Sequence, residues 1–104
     1  MKHLICLVVL LPIVAQAANE IRVVIKDHRF EPSELAVPAR QKVKLVIQNQ
    51  DATPEEFESH ELNREKVIPA NGTATVYVGP LEPGRYGFIG EYNEKTAQGV
   101  IVVE

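Results

Sequence analysis

The sequence predicts an all-β domain, a Greek-key sandwich or barrel of seven or eight short strands. Apolar and polar residues alternate with a period of two over several short runs, which is the pattern of strands with one buried face. Turn-forming residues separate these runs at short intervals. The 104 residues suffice for one small domain, and 45% hydrophobic with 24% charged residues is an ordinary globular composition. These observations favour two packed sheets over a helical or disordered chain.

The alternating runs follow one another along the chain from residue 20 onwards. In each run the residues of one parity are apolar: Ile21, Val23 and Ile25; Leu35 and Val37; Val43, Leu45 and Ile47; Ala74, Val76 and Val78; Tyr86 and Phe88; Val100 and Val102. Residues 55–60 form a further strand in this interpretation, with Phe57 pointing to the core. A helical turn fits only around 61–66, although no strong amphipathic period is present there.

The N-terminus has the features of an export signal. Lys2 precedes an almost wholly apolar run over 4–14, and Ala15 and Ala17 form an A-x-A cleavage pattern. These features predict a cleaved Sec-type signal peptide over 1–17 and an exported mature domain over 18–104. The apolar run is shorter than the roughly 20 residues that a membrane-spanning helix needs. An uncleaved anchor is the alternative interpretation.

The composition of the predicted mature domain excludes several kinds of chemistry. The only cysteine is Cys6 and the only methionine is Met1, and both lie in the predicted signal peptide. Thiol catalysis, iron–sulfur clusters, cysteine-based zinc sites and covalent haem attachment are therefore excluded. So small a domain has no interior volume for a flavin or haem. A formal net charge of −3 argues against nucleic-acid binding, which needs a basic surface.

Nucleophilic catalysis is poorly supported. Residues 18–104 contain two serines, Ser33 and Ser59. Although Ser59 precedes His60, adjacent residues of a strand point to opposite faces, so the two cannot form the hydrogen bond of a catalytic triad. His28 lies in a predicted turn, and its position is that of an ordinary surface histidine.

An acidic segment is the main candidate for function. Residues 51–61 contain five carboxylates and one imidazole. On a strand, Glu56, Glu58 and His60 share the face opposite Phe57. Because Glu56 and His60 are then about 13 Å apart, one ion takes two neighbours, either Glu56 with Glu58 or Glu58 with His60, and further ligands from another loop. Oxygen donors with one imidazole suit iron, manganese, zinc or Cu(II) better than Cu(I). A solvated acidic edge strand is the alternative.

Motifs over essentially the whole of residues 18–104 resemble those of small bacterial cupredoxin-like domains. They are KDHRFEP at 26–32, LAVPA at 35–39, VIQN at 46–49, PEEFES at 54–59, EKVIP at 65–69, LEPGRYGFIGE at 81–91 and TAQG at 96–99. The chain is most similar to the periplasmic cupredoxin-like partners of ferrous-iron permeases of the Ftr type, and to the cupredoxin domain of EfeO-type iron-uptake proteins.

The resemblance implies a two-sheet Greek-key β-sandwich in the periplasm, in the cupredoxin-like arrangement. It also implies a role in handling or oxidising Fe(II), with copper as a second candidate metal. The partners that it implies are a membrane iron permease and other components of the iron-uptake system. The Glu-aromatic-Glu element of the family corresponds to Glu56, Phe57 and Glu58.

Three positions depart from a copper-binding member of the family. A blue-copper site needs two histidines and a cysteine with a weak axial ligand such as methionine. By the resemblance, the cysteine position is occupied by Gly90 and the second histidine position by Asn93. Phe30 stands where the EfeO-type domain has a cysteine. The sequence therefore predicts that the protein is not a blue-copper electron carrier.

The resemblance then leaves a metal site built from Glu56, Glu58, His60 and Glu91, with Glu65, Asp51 or Tyr92 nearby. Such a site would bind iron, copper as Cu(II), or both. Whether the protein is itself an enzyme stays open at this point. Oxidation of Fe(II) needs an electron acceptor, and the chain has no obvious second redox centre, so any ferroxidase activity would be accessory to other subunits.

A second hypothesis needs no metal. The acidic segment would then form a docking surface that recognises a basic surface on a membrane partner. Salt would weaken such binding steeply, whereas a chelator would leave it unchanged.

Overall fold

Residues 19–104 fold into two β-sheets packed face to face in a computed structural model of the protein, which describes this part of the chain. The predicted signal peptide over 1–17 and its cleavage point lie outside the described residues. The all-β sandwich that the sequence predicts is confirmed. Between residues 19 and 104 there is no helix with the length and apolar character needed to cross a membrane.

The described part of the chain contains nine strands and one 3₁₀ turn. In chain order they are β1 (Glu20–Lys26), β2 (Arg29–Glu31), β3 (Glu34–Val37), β4 (Val43–Asn49), β5 (Glu55–Ser59), β6 (Arg64–Ile68), β7 (Thr73–Val78), β8 (Gly84–Gly90), the 3₁₀ turn Glu91–Asn93 and β9 (Gln98–Val103). The first sheet has the strand order β2-β1-β4-β7 and the second has β3-β9-β8-β5-β6. The pairs β1–β4 and β3–β9 are parallel, and the other pairs are antiparallel.

The count of nine strands exceeds the seven or eight expected, because β2 and β6 are short strands without a clear alternation. No helix forms over 61–66, the one segment where the sequence allowed a helical turn: a turn after β5 leads directly into β6, which pairs antiparallel with β5. All of β6 except Ile68 is exposed. An edge strand with so little burial has no period-two pattern to detect, which is why the sequence did not reveal it.

The interior between the sheets is apolar and continuous. Three aromatic rings lie at its centre: Phe88 is 4.9 Å from Phe30 and 5.0 Å from Phe57, measured between ring centroids. Phe57 is buried as predicted. Along β9 the residues that are buried are Ile101 and Val103, with apolar neighbours only half-buried. An apolar run on both parities does not by itself say which parity faces the core.

Candidate metal site

Strand β5 presents two different faces. Glu55, Phe57 and Ser59 are buried between the sheets, whereas Glu56 and Glu58 are partly exposed on the outer face. This division follows directly from the alternation of side chains along a strand, with Phe57 determining which parity is inside. The outer face therefore carries the two carboxylates of the Glu-aromatic-Glu element.

Neighbouring strands bring two more carboxylates to this face. In the β5–β6 pairing, Glu65 lies directly opposite Glu58. On the other side of β5, strand β8 pairs through Phe57 with Gly90 and ends there. The chain then enters the 3₁₀ turn, whose first residue is Glu91. Glu65 and Glu91 thus approach β5 from opposite sides.

The four glutamates form one compact group, which we call the carboxylate cluster: Glu56, Glu58, Glu65 and Glu91. One oxygen atom from each side chain lies within 4.8 Å of the corresponding atoms of the others. Two oxygen ligands at about 2.4 Å on opposite sides of a cation are themselves about 4.8 Å apart. The spacing of the cluster is therefore compatible with four carboxylates around a single cation.

Mutual interaction within the cluster raises the pKa of Glu91. Its hydrogen bond with Glu58 raises the pKa of Glu91, and the hydrogen bond with Glu56 opposes this in part. Desolvation and the charges of Glu58 and Glu65 raise it further. Between residues 19 and 104 no lysine or arginine forms an ion pair with the cluster. The cluster is thus a concentration of negative charge that no lysine or arginine of the described residues offsets.

Tyr92 lies beside the cluster and responds to the same charges. Desolvation raises the pKa of its phenol, and the charge of Glu56 and a hydrogen bond with Glu56 raise it further. Smaller contributions come from the charges of Glu91 and Glu55. Tyr92 is 52% exposed. It therefore borders the cluster as a neutral, solvent-facing group.

Of the predicted ligands, His60 is outside the cluster. It lies in the turn after β5, where the alternation of the strand has ended, and its side chain is 84% exposed. Its Nε2 atom is 3.3 Å from Oε1 of Glu58. The structure thus brings together Glu56, Glu58 and Glu91, with His60 in contact with one of them. Glu65 completes the four.

Two further residues considered in the sequence lie elsewhere. The carboxylate of Asp51 accepts hydrogen bonds from the backbone N–H groups of Asp27 and His28, at 2.8 and 3.0 Å, and so holds the turn between β1 and β2. Nε2 of His28 is 3.4 Å from Oγ1 of Thr53. Both side chains therefore contribute to the loops on the first sheet.

A buried carboxyl group that is not among the predicted site residues lies behind the cluster. Glu55 is 1% exposed. Its Oε1 accepts hydrogen bonds from the backbone N–H groups of Glu56 and Tyr92, at 3.0 and 2.9 Å, and its Oε2 accepts one from Nδ2 of Asn93, at 2.7 Å. One feature of the sequence did indicate its burial. Glu55 is two residues before the core residue Phe57, so on a strand the two side chains point to the same face.

The position that corresponds by resemblance to the copper-binding cysteine is closed to a side chain. A Cβ atom on Gly90 would lie 2.6 Å from Cδ of Glu55 and 2.6 Å from Cβ of Ala97. Asn93, at the second histidine position, donates to Glu55 instead. Residues 19–104 also contain no cysteine and no methionine. The sulfur donors of a blue-copper centre are therefore absent from these residues, and the place that corresponds to the thiolate is filled.

Comparisons with known proteins identify both a family and a fold. The profile of the family described as "Cupredoxin-like domain" matches residues 3–103. An uncharacterized protein of Rickettsia prowazekii (strain Madrid E) is 44% identical over 84 residues, which cover 81% of this chain and 67% of that protein.

Two solved structures illustrate the fold. One is the metal-binding domain of the Cu(I)-exporting P-type ATPase CopA of Streptococcus pneumoniae D39, solved with Cu(I). Its TM-score is 0.73 at 16% identity, over 82% of this chain and 84% of that one. The other is auracyanin A, a "blue" copper protein of Chloroflexus aurantiacus, with a TM-score of 0.67 at 20% identity, over 82% of this chain and 98% of that one. At these identities the likeness concerns the fold alone.

Proposed function

The chain belongs to the cupredoxin-like domain family, and from that premise we propose that it is a periplasmic metal-handling protein of a bacterial iron-uptake system. It binds Fe, Cu(II) or both through the carboxylate cluster, and assists oxidation of Fe(II) or its delivery to a membrane iron permease. The observation that carries the proposal is the convergence of four carboxylate oxygens within 4.8 Å. The resemblance to Ftr-type and EfeO-type proteins supports the choice of iron.

The donor set favours hard or borderline cations. Carboxylate oxygens suit such ions, and the imidazole of His60 beside Glu58 adds a nitrogen donor at the edge of the site. Soft Cu(I), which prefers thiolates and thioethers, finds neither in residues 18–104. In this proposal the protein is therefore not a blue-copper electron carrier, although it shares its fold with such carriers.

The carboxylate cluster also accounts for the proposed part of this protein in the oxidation of Fe(II). Four carboxylates stabilise Fe(III) more than Fe(II), because their attraction for the cation rises with its charge. Binding at the cluster would thus favour loss of an electron by bound Fe(II). Each Fe(II) that is oxidised releases one electron, which reduces one equivalent of a one-electron acceptor, such as a Cu(II) centre, in another component of the uptake system. The chain's own contribution is to bind, orient and release the iron as cargo.

Cation titration tests this proposal. The purified protein is titrated by calorimetry with Fe(II) under anaerobic conditions and, separately, with Cu(II). The double variant Glu56→Gln/Glu58→Gln is expected to bind at least about tenfold more weakly, since two charged ligands become neutral.

The matched control is Glu34→Gln/Glu82→Gln. These two exposed carboxylates form only exposed ion pairs, with Arg85 and Arg40, away from the cluster. The control removes the same formal charge and is expected to bind as the unmodified protein does. Equal affinities for all three proteins would refute the site.

A second candidate function rests on the surface around the cluster. Val67, opposite Glu56 in β6, is 47% exposed, and Tyr92 is 52% exposed. Large exposed side chains beside carboxylates that no lysine or arginine of the described residues pairs with are also the composition of a docking surface for a cationic partner. In this alternative the protein is a metal-free docking module for a membrane component of the uptake system.

Salt and chelator separate the two functions. Association with membranes that contain the permease is measured with and without EDTA, over a range of NaCl concentrations. A docking module binds without metal and weakens steeply with salt. A metal-handling protein instead shows saturable cation binding in the absence of any partner, which the docking module would lack.

A further inference from the structure

We propose that the buried Glu55 is a positioning residue for the carboxylate cluster: it holds the segment 90–93 against β5, so that Glu91 remains next to Glu56 and Glu58. This inference rests on the proposed cation binding by the cluster. Glu55 does not belong to the cluster itself, because its carboxyl group points to the opposite face of β5.

The contacts of Glu55 connect β5 to the residues on either side of Glu91. Its Oε1 accepts from the N–H of Tyr92, directly after Glu91, and its Oε2 accepts from the side chain of Asn93. Gly90, directly before Glu91, packs so closely on the same carboxyl group that a Cβ atom there would overlap with it. The side chain of Glu55 therefore contacts the residues on both sides of Glu91.

The 3₁₀ turn has few other means of support. None of its three residues is buried, and no side chain caps its N-terminus. The backbone bonds from Gly90 to Ala97 and from Ala97 to Asn93, both 2.8 Å, close the loop upon itself. They do not connect it to β5. The β5–β8 pairing fixes Gly90, where β8 ends. From there on, the partly buried hydrogen bonds that connect the turn to β5 are those of Tyr92 and Asn93 to Glu55.

A double-mutant cycle in cation affinity tests this role. The four proteins are the unmodified chain, Glu55→Ala, Glu91→Gln and Glu55→Ala/Glu91→Gln, titrated with Fe(II) anaerobically and with Cu(II). Each single variant is expected to bind about tenfold more weakly. The double variant is expected to bind as Glu91→Gln does, because a residue that acts through Glu91 has no effect once that ligand is gone.

Two further variants separate positioning from general loss of structure. Glu55→Gln keeps an acceptor for Tyr92, and the amide of Asn93 can rotate to accept from the new side chain, so affinity should stay within about threefold of the unmodified protein. Ser59→Ala is the matched control. Ser59 is the other buried polar residue of β5; it contacts Gly87 and Leu62 but not the 3₁₀ turn. It should lower stability and leave affinity unchanged.

A second measurement does not depend on cations. In Glu55→Ala, amide hydrogen exchange at Tyr92 should accelerate strongly, whereas the Gly90 amide, bonded to Ala97, should stay protected. In Glu55→Gln both amides should stay protected. Unchanged exchange at Tyr92 in Glu55→Ala would overturn the proposal.

The outcomes distinguish the two claims. If Glu91→Gln binds cations as the unmodified protein does, the proposed function of the cluster fails, and hydrogen exchange still decides whether Glu55 holds the turn. If Glu91→Gln weakens binding but Glu55→Ala does not, the positioning role fails and the metal site stands. An equal loss from Glu55→Ala with and without Glu91 would also overturn positioning, since it would indicate a general structural effect.

Discussion

Both faces of β5 carry glutamate side chains, but the surroundings of these carboxyl groups differ. On the inner face the carboxyl group of Glu55 has three hydrogen-bond donors within 3.0 Å. On the outer face, Glu56 and Glu58 meet the carboxylates of Glu65 and Glu91. Among residues 19–104 no buried side-chain nitrogen or oxygen lacks a partner. The carboxyl group on the inner face thus has its hydrogen bonds supplied by the protein, whereas on the outer face four carboxylates lie close to one another.

This difference shows how a single strand separates stability from binding. Hydrogen-bonded polar groups in the interior define one geometry and are costly to disturb. Like charges that lie opposite each other on a sheet are destabilising unless a cation neutralises them. Substitutions on the inner face should therefore destabilise the protein, and neutral substitutions on the outer face should stabilise it while weakening cation binding.

The largest effect on stability is expected from Gly90→Ala, because Gly90 packs against the carboxyl group of Glu55 on the inner face of β5. The new methyl group would overlap with Glu55 and Ala97, so the free energy of unfolding should fall by about 1–3 kcal/mol. Urea unfolding monitored by circular dichroism measures the change.

Gly87→Ala in the same strand is the matched control. A Cβ atom there meets only Oε1 of Glu61, at 3.5 Å, which is an ordinary contact with a flexible side chain. This variant should be much less destabilised than Gly90→Ala. Equal stability of the two variants would mean that the carboxyl group of Glu55 does not fill the space beside Gly90.

Glu65→Gln should have a smaller effect of the opposite sign. Because Glu65 lies directly across from Glu58, its neutralisation removes a like-charge pair and should raise the free energy of unfolding by about 0.2–1 kcal/mol in metal-free buffer. The same variant should bind Fe(II) and Cu(II) more weakly.

The control for Glu65→Gln is Glu34→Gln. Its carboxylate forms only an exposed ion pair with Arg85, so neither stability nor cation affinity should change appreciably. A loss of stability in Glu65→Gln would show that the outer face is not under mutual repulsion.

The smallest effect concerns the pH dependence of stability at Glu91. Its pKa is raised in the folded protein, chiefly by the hydrogen bond with Glu58, so the folded state holds this proton more tightly than the unfolded state. The contribution of Glu91 to the free energy of unfolding is fully present below the ordinary carboxyl pKa. It is lost as the pH rises through the raised pKa. Glu91→Gln should abolish that part of the pH dependence.

Urea unfolding of both proteins in chelator, at several pH values across this interval, provides the measurement. The stability of Glu91→Gln relative to the unmodified protein should increase with pH. A difference that is constant with pH would contradict the assignment of the shift to Glu91.

Part of the site could be predicted from the sequence because it depends on one strand. The position of Phe57 in the core, with Glu56 and Glu58 on the other face, follows from alternation alone. The same rule placed His60 with them, but the strand ends at Ser59 and His60 lies in the following turn. Strand ends are decided by pairing with neighbours, which local patterns do not show.

The role of Glu55 was not predicted because its partners are distant in sequence. Tyr92 and Asn93 come close to it only when β8 pairs with β5 and ends at Gly90. A glutamate of core parity conflicts with the apolar pattern, and such local conflicts commonly coincide with functional or structural centres. The alternation of the strand indicated that Glu55 is buried, but not which groups would donate hydrogen bonds to its carboxyl group.

The sequence by itself determined the all-β class, the inward face of β5 and the absence of sulfur ligands between residues 18 and 104, because these depend on residue type and on a period of two. The resemblance suggested Glu91 as a further ligand with Glu65 nearby, but only the tertiary structure decided that one oxygen from each of them lies within 4.8 Å of those of Glu56 and Glu58. The physical reason is that strand register and the end of β8 are set by hydrogen bonds and packing between segments far apart in the chain, and each one-residue slip moves a side chain to the other face.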